Sequence, residues 1–121
     1  MPIIPAMLLR KLYVKGSLQT TPDGFGFTIK NVLAPATVIG VLAVSVDGNS
    51  IPLENVTIGR QGTTRPVNRV SPAWPFPFDL HDEAVFQVQG VALEPGLHAL
   101  SITIKVKEVG ELNIQFQDHV V

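Results

Sequence analysis

The pattern that most constrains this chain lies near its C-terminus. From Gly96 to Lys107 the side chains alternate strictly, with His98, Leu100, Ile102, Ile104 and Val106 on one side. Ala99, Ser101, Thr103, Lys105 and Lys107 fall on the other. A period of two places successive side chains on opposite faces of an extended chain, so one face packs and the other meets solvent. After Val109-Gly110 the alternation restarts, with Leu112, Ile114 and Phe116 inward and Asn113, Gln115 and Gln117 outward. The short Glu108–Glu111 junction predicts that these two strands form an antiparallel hairpin.

The same period recurs upstream. Phe25, Phe27 and Ile29 alternate with Gly26, Thr28 and Lys30 after a Pro22-Asp23-Gly24 turn. Val38–Val46 reads as a valine-rich strand that Asp47-Gly48 turns back on itself. Shorter strands are expected at Leu9–Val14, Asn55–Ile58 and Ala84–Val88. Glu94-Pro95-Gly96 is the turn that launches the long strand. No segment of ten or more residues keeps a helical period without Gly or Pro. The expectation is an all-β chain, an antiparallel β-sandwich of about seven to eight strands in a single domain over residues 1–121.

One segment resists this reading. Gly59–Asp82 carries Pro66, Pro72, Pro75 and Pro77, and its arginines Arg60, Arg65 and Arg69 alternate with small polar residues. It reads as a long Pro- and aromatic-rich loop over 59–82, and a loop of that length usually serves function or is ordered by a partner. Trp74, Phe76 and Phe78 are interleaved with prolines there, which hold the chain extended and leave little entropy to lose on docking. Aromatics and arginines anchor interfaces. Trp74, Phe76, Phe78, Arg65 and Arg69 are therefore the expected partner interface, as against rings folded back onto the sandwich.

Composition points the same way. Charged residues make up 16% of the chain, where about 25% is usual, and mean hydropathy is +0.30. A small domain has much surface for its mass, so part of this apolar content is expected on the outside, covered by another chain. The net charge of −1, without a run of either sign, gives no footprint for nucleic acid or an anionic membrane. No cysteine is present, which removes disulfides, thiolate nucleophiles and Cys-type metal sites. The apolar start Met1–Leu9 is broken by Pro2 and Pro5 and followed by Arg10-Lys11, the wrong order for a signal peptide. No stretch reaches the roughly 20 apolar residues that span a bilayer. The expected location is the cytoplasm.

Candidate chemical sites are few. Asp79, His81, Asp82 and Glu83 could ligate a cation or do acid–base work, and a small metal-dependent enzyme built on His81 is one reading. Their spacing matches no metal motif, and adjacent side chains in an extended chain diverge, so a solvated turn is expected. His98, beside Pro95-Gly96, is expected to hydrogen-bond the neighbouring turn backbone, and His119 to be exposed or at an interface. Ser17, Ser45, Ser50, Ser71 and Ser101 lack a nucleophile-elbow setting. Gly24-Phe25-Gly26-Phe27 leads into a strand and not a helix, so it is not a phosphate loop. No catalytic, cofactor-binding or metal-ligating residue is assigned.

Taken in order, Met7-Leu8-Leu9-Arg10-Lys11-Leu12-Tyr13-Val14-Lys15-Gly16-Ser17-Leu18, Val44-Ser45-Val46-Asp47-Gly48, Ile51-Pro52-Leu53-Glu54-Asn55-Val56 and Leu93-Glu94-Pro95-Gly96-Leu97-His98 make a pattern over most of the chain. It resembles the small β subunits of bacterial C-glycoside deglycosidases. The resemblance implies an obligate complex with a larger (β/α)-barrel α subunit. That enzyme cleaves the carbon–carbon glycosidic bond of 3-oxo-C-glycosides, such as oxidised flavonoid C-glucosides. A base takes the C2 proton acidified by the 3-keto group, and the aglycone carbon leaves as it is protonated, giving an enone sugar. The resemblance places the catalytic residues and a divalent metal, typically manganese, in the α subunit, with no cofactor in this chain. The alternative is a free-standing carbohydrate-binding module that stacks sugar on Trp74 and Phe76.

Overall fold

The computed structural model describes residues 4–60 and 62–121. Met1-Pro2-Ile3, the beginning of the apolar N-terminal stretch, and Gln61 of the 59–82 segment lie outside the described residues.

Two antiparallel sheets pack face to face. One joins β1 (Gln19–Thr21), β2 (Gly24–Lys30), β8 (Glu83–Gln89), β5 (Val56–Arg60) and β6 (Thr63–Pro66), in that order. The other runs β10 (Gly110–Val120), β9 (Gly96–Val106), β3 (Ala36–Val46) and β4 (Asn49–Ser50), with β7 (Phe76–Phe78) also pairing β3. The β-sandwich is as the alternation predicts, with ten strands among the described residues. The additional strands β1, β6 and β7 are too short to carry a readable period.

The long hairpin forms as expected, with Ile102 opposite Ile114 and Leu100 opposite Phe116. At Asp47-Gly48 both residues have positive φ, 52° and 82°. That is the twist a two-residue hairpin loop needs between Val46 and Asn49, and glycine adopts it without a Cβ penalty.

Side chains of both sheets meet in one core. Phe27 lies 5.1 Å from Phe86 within its sheet and 5.3 Å from Phe116 across the sandwich. Phe25, Val56 and Ile102 are fully buried around them. Each sheet thus hides one face, and the removal of these rings from water is the main stabilising term.

One expectation is corrected. Leu9–Val14 is not a strand. A short helix, α1 (Ala6–Arg10), occupies its start, and only Tyr13 makes a single bridge, to Ile29. Leu9 and Leu12 stand three apart, so a helical turn brings both onto one face, and both are buried. This segment closes the flank between β2 and β10. No helix among the described residues is long and apolar enough to cross a membrane.

Candidate functional site

The 59–82 segment is not a free loop. It leaves the edge of one sheet as β6, passes through a 3₁₀ turn at Val67–Arg69, and joins the other sheet as β7. It is the strap that closes the second flank of the sandwich. Its Val67 and Val70 are buried against the sandwich.

This placement corrects the expected interface for two residues. Phe76 and Phe78 point into the core, 4% and 7% exposed, with Pro77 outward between them. Pro77 cannot donate to a ladder, but β7 pairs along one side only, where proline is tolerated. Because Phe76 is covered, no two-ring platform of Trp74 and Phe76 exists for a sugar to stack on.

Trp74 remains outside, 53% exposed. It sits at the end of a tight turn, where its N–H donates to the Ser71 carbonyl (3.1 Å) and to Ser71 Oγ (3.0 Å). Ser71 N–H donates in return to the Trp74 carbonyl at 3.2 Å. The Arg65 guanidinium lies 4.6 Å from the Trp74 ring centroid and 5.6 Å from that of Phe76. It also donates to the carbonyl oxygens of Trp74, at 2.9 Å, and Pro75. The cation thus fastens the turn's backbone and covers one ring face, a contact favourable by about 0.5–1 kcal/mol where solvent reaches it. Burial lowers the Arg65 pKa, yet a guanidinium keeps its charge in any protein. The result is an indole–guanidinium surface carried on a hydrogen-bonded turn, whose backbone is already ordered on folding. Arg69 is exposed on the 3₁₀ turn.

The acidic cluster forms the turn between β7 and β8, and here the expected divergence is only half right. Asp79 and Asp82 converge, because His81 takes φ of +73° and bends the chain. Their common partner is Arg60, whose Nη2 lies 3.4 Å from Asp79 Oδ2 and whose Nε lies 2.8 Å from Asp82 Oδ2. The buried Nε is off the line of a good hydrogen bond, so the contact with Asp82 is ionic in character. Asp82 Oδ2 also accepts the Asp79 N–H at 2.9 Å. His81 and Glu83 are exposed and take no part. Among the described residues no three His, Cys, Asp or Glu side chains are grouped so as to hold a metal ion.

His98 bonds the turn backbone as expected, with Nε2 2.6 Å from the Glu94 carbonyl. It also lies 2.7 Å from Asp47 Oδ2 through Nδ1. Both neighbours are acceptors, so the setting favours the imidazolium, in which both ring nitrogens donate. These hydrogen bonds raise the His98 pKa, while bonds from the Ala99 N–H and His98 lower that of Asp47. Of the serines, Ser71 holds the Trp74 turn and Ser17 Oγ accepts the Thr28 N–H at 3.0 Å.

Two residues passed over in the sequence position this surface. Asn31, a buried polar side chain, donates to the carbonyls of Ala34 (2.7 Å) and Phe78 (2.8 Å), tying β7 to the 31–36 turn. Arg60 anchors the acidic turn. Each continues an inward alternation, Asn31 after Phe25, Phe27 and Ile29, and Arg60 after Val56 and Ile58. A polar residue on an inward phase was the available signal.

Fold and surface together define a small antiparallel β-sandwich whose most prominent contact feature is a pinned indole and guanidinium on its flank. The sequence model of the hydroxymethylglutaryl-CoA reductase N-terminal domain family matches residues 8–121, and the chain belongs to that family. No curated protein matches the chain.

Proposed function

We propose that this chain is the non-catalytic, obligate β subunit of a C-glycoside deglycosidase. In this role it binds a larger (β/α)-barrel α subunit in a cytoplasmic hetero-oligomer, stabilises it and helps shape its active site. The α subunit supplies the acid–base residues and the divalent metal, manganese by the resemblance, and binds the 3-oxo-C-glycoside. The observation that carries the reading is Trp74, half-exposed, with Arg65 over its ring and its backbone fixed by Ser71. A large ring presented from an already ordered turn leaves less chain freedom to lose when a partner arrives, which favours its use as a binding anchor. Further support comes from Leu42, Val85 and Leu97, apolar side chains left exposed on strands of both sheets.

The test is co-expression with a sugar-isomerase-like barrel encoded beside it, followed by assay of 3-oxo-C-glycoside cleavage. The expected result is a co-purifying complex in which neither chain alone has turnover, and in which this chain alone aggregates. A monodisperse, cooperatively unfolding monomer that ignores the barrel chain overturns the proposal.

The family match favours a second reading, an accessory module of a hydroxymethylglutaryl-CoA reductase. Specific co-purification with a reductase chain, and none with a barrel subunit, would select it.

A further inference from the structure

The core is not filled at one end. Between the sheets, where the 31–36 turn faces the β9–β10 hairpin turn, lies a cavity of about 100 Å³. Its walls come from both sheets, with Ile29, Ala84 and Phe86 on one side and Phe78, Ile104, Val106 and Leu112 on the other. Half-exposed Val109 and exposed Leu33 stand at its rim and give a route of entry. Ala84, fully buried in the wall, leaves space that a larger inward residue would occupy.

The polar groups at this cavity are already engaged. Asn31 spends its amide hydrogens on the Ala34 and Phe78 carbonyls, and its Oδ1 accepts the Leu33 N–H at 3.1 Å. Glu108, at the rim, accepts the Thr37 N–H and hydroxyl, each at 2.9 Å. A water needs two or more polar partners to stay in such a space; the one buried polar side chain, Asn31, is engaged and the rest of the inner lining is apolar, so apolar contents are favoured. The volume is about two-thirds of the roughly 150 Å³ of an engineered cavity that takes benzene, so it admits at most one small ring. The Glu108 carboxylate at the rim opposes an anion.

We infer that this cavity is a binding site for one small neutral apolar ring, an aromatic or alicyclic hydrocarbon or the corresponding part of a larger neutral molecule. The site is independent of the proposed subunit role, because its walls belong to this chain alone.

The experiment titrates the full chain, or its complex if the chain alone does not stay dispersed, with benzene, followed by methyl NMR and thermal unfolding. Saturable shifts confined to Ala84, Ile104, Val106 and Leu112, with a ligand-dependent rise in melting temperature, are expected. Benzoate should bind about tenfold more weakly or worse, since its charge would be desolvated beside Glu108. Ala84→Leu should fill the space and abolish both responses. If that variant does not fold, Ala36→Ile, narrower in effect and nearer the rim, should weaken them. Failure of benzene to give saturable shifts, or an unchanged response in a folded filling variant, overturns the inference.

Discussion

The Tyr13 ring lies flat on Phe116, with centroids 3.9 Å apart and planes 7° from parallel, and its hydroxyl donates to Asp118 Oδ2 at 2.6 Å. One side chain therefore ties the N-terminal segment to β10 by an apolar and a polar contact at once. The Gly16 N–H donates to the same carboxylate oxygen at 2.7 Å, and Tyr13 Oη accepts the Leu18 N–H at 3.0 Å. Burial, then the bond to Asp118, pushes the Tyr13 pKa up to about 12. The Tyr13 and Gly16 donors hold Asp118 below the usual carboxylate range.

Tyr13→Phe should keep the stack and lose the hydroxyl's bonds, with a cost of about 1–2 kcal/mol in urea unfolding. The pH dependence has a fixed sign. Tyr13 is raised in the folded state, so its contribution is complete below the unfolded pKa of about 10 and is lost as pH rises through about 12. Asp118 is lowered, so its contribution is present above the unfolded pKa and lost as pH falls through the folded one. In Tyr13→Phe the alkaline loss should flatten. An unchanged profile between pH 10 and 12 would mean that another group governs it.

His98 and Asp47 predict a second dependence near neutrality. With its folded pKa raised, His98 contributes fully below its unfolded value and loses that contribution as pH rises through the folded pKa. Asp47, lowered, contributes above its unfolded pKa and loses this as pH falls. The pair is therefore strongest between the two titrations, in mildly acidic solution. The melting temperature should fall as pH rises above the unfolded histidine value of about 6.5, and His98→Gln should remove that slope. An NMR titration that places the His98 pKa below that of a free imidazole would refute the imidazolium assignment.

How far the sequence could be read depended on the length of each element. The two 11-residue strands Gly96–Val106 and Gly110–Val120 repeat their alternation several times, so their faces and pairing were legible. β7 has three residues, Phe76-Pro77-Phe78, and a period of two cannot be recognised in so short a run. Its prolines argued for a loop, while burial of two phenyl rings decided for a strand. Leu9–Val14 failed for a related reason, since Leu9 and Leu12 fit a single helical turn that is too short for a periodic signal. The convergence of Asp79 and Asp82 on Arg60 depends on the left-handed backbone of His81, which residue types alone do not announce.

The acidic turn gives a third prediction. Arg60 and Asp82 are both largely covered, with side chains 24% and 16% exposed. Arg60→Ala leaves a mostly buried carboxylate without its cation and should cost about 1–3 kcal/mol. Replacing the exposed His81 by Asn, which tolerates the left-handed backbone, and the exposed Glu83 by Gln should change stability by less than about 0.5 kcal/mol. In the proposed complex with an α subunit the latter pair should leave metal content and turnover close to wild type. A large loss of metal with assembly intact would return this turn to consideration as a chemical site.

The last prediction separates the aromatic residues of the strap. Phe76→Ala removes a buried ring from the core and should cost about 3–5 kcal/mol of folding stability. Trp74→Ala should leave folding nearly intact, because the indole is half in solvent and Arg65 retains its bonds to the backbone carbonyls. Its effect should appear in assembly, weakened by more than about tenfold, since a truncated aromatic anchor typically costs about 2 kcal/mol or more. Arg65→Ala should act in the same direction by freeing the ring, whereas Gln115→Ala, on the outer face of β10, should do little. Sedimentation with graded amounts of the proposed α subunit measures assembly, and an assay at saturating partner measures turnover. Loss of turnover should track loss of complex and be largely restored by excess subunit. Unfolding of Trp74→Ala at saturating partner would place the indole in the core, and turnover lost from an intact complex would place it at the active site.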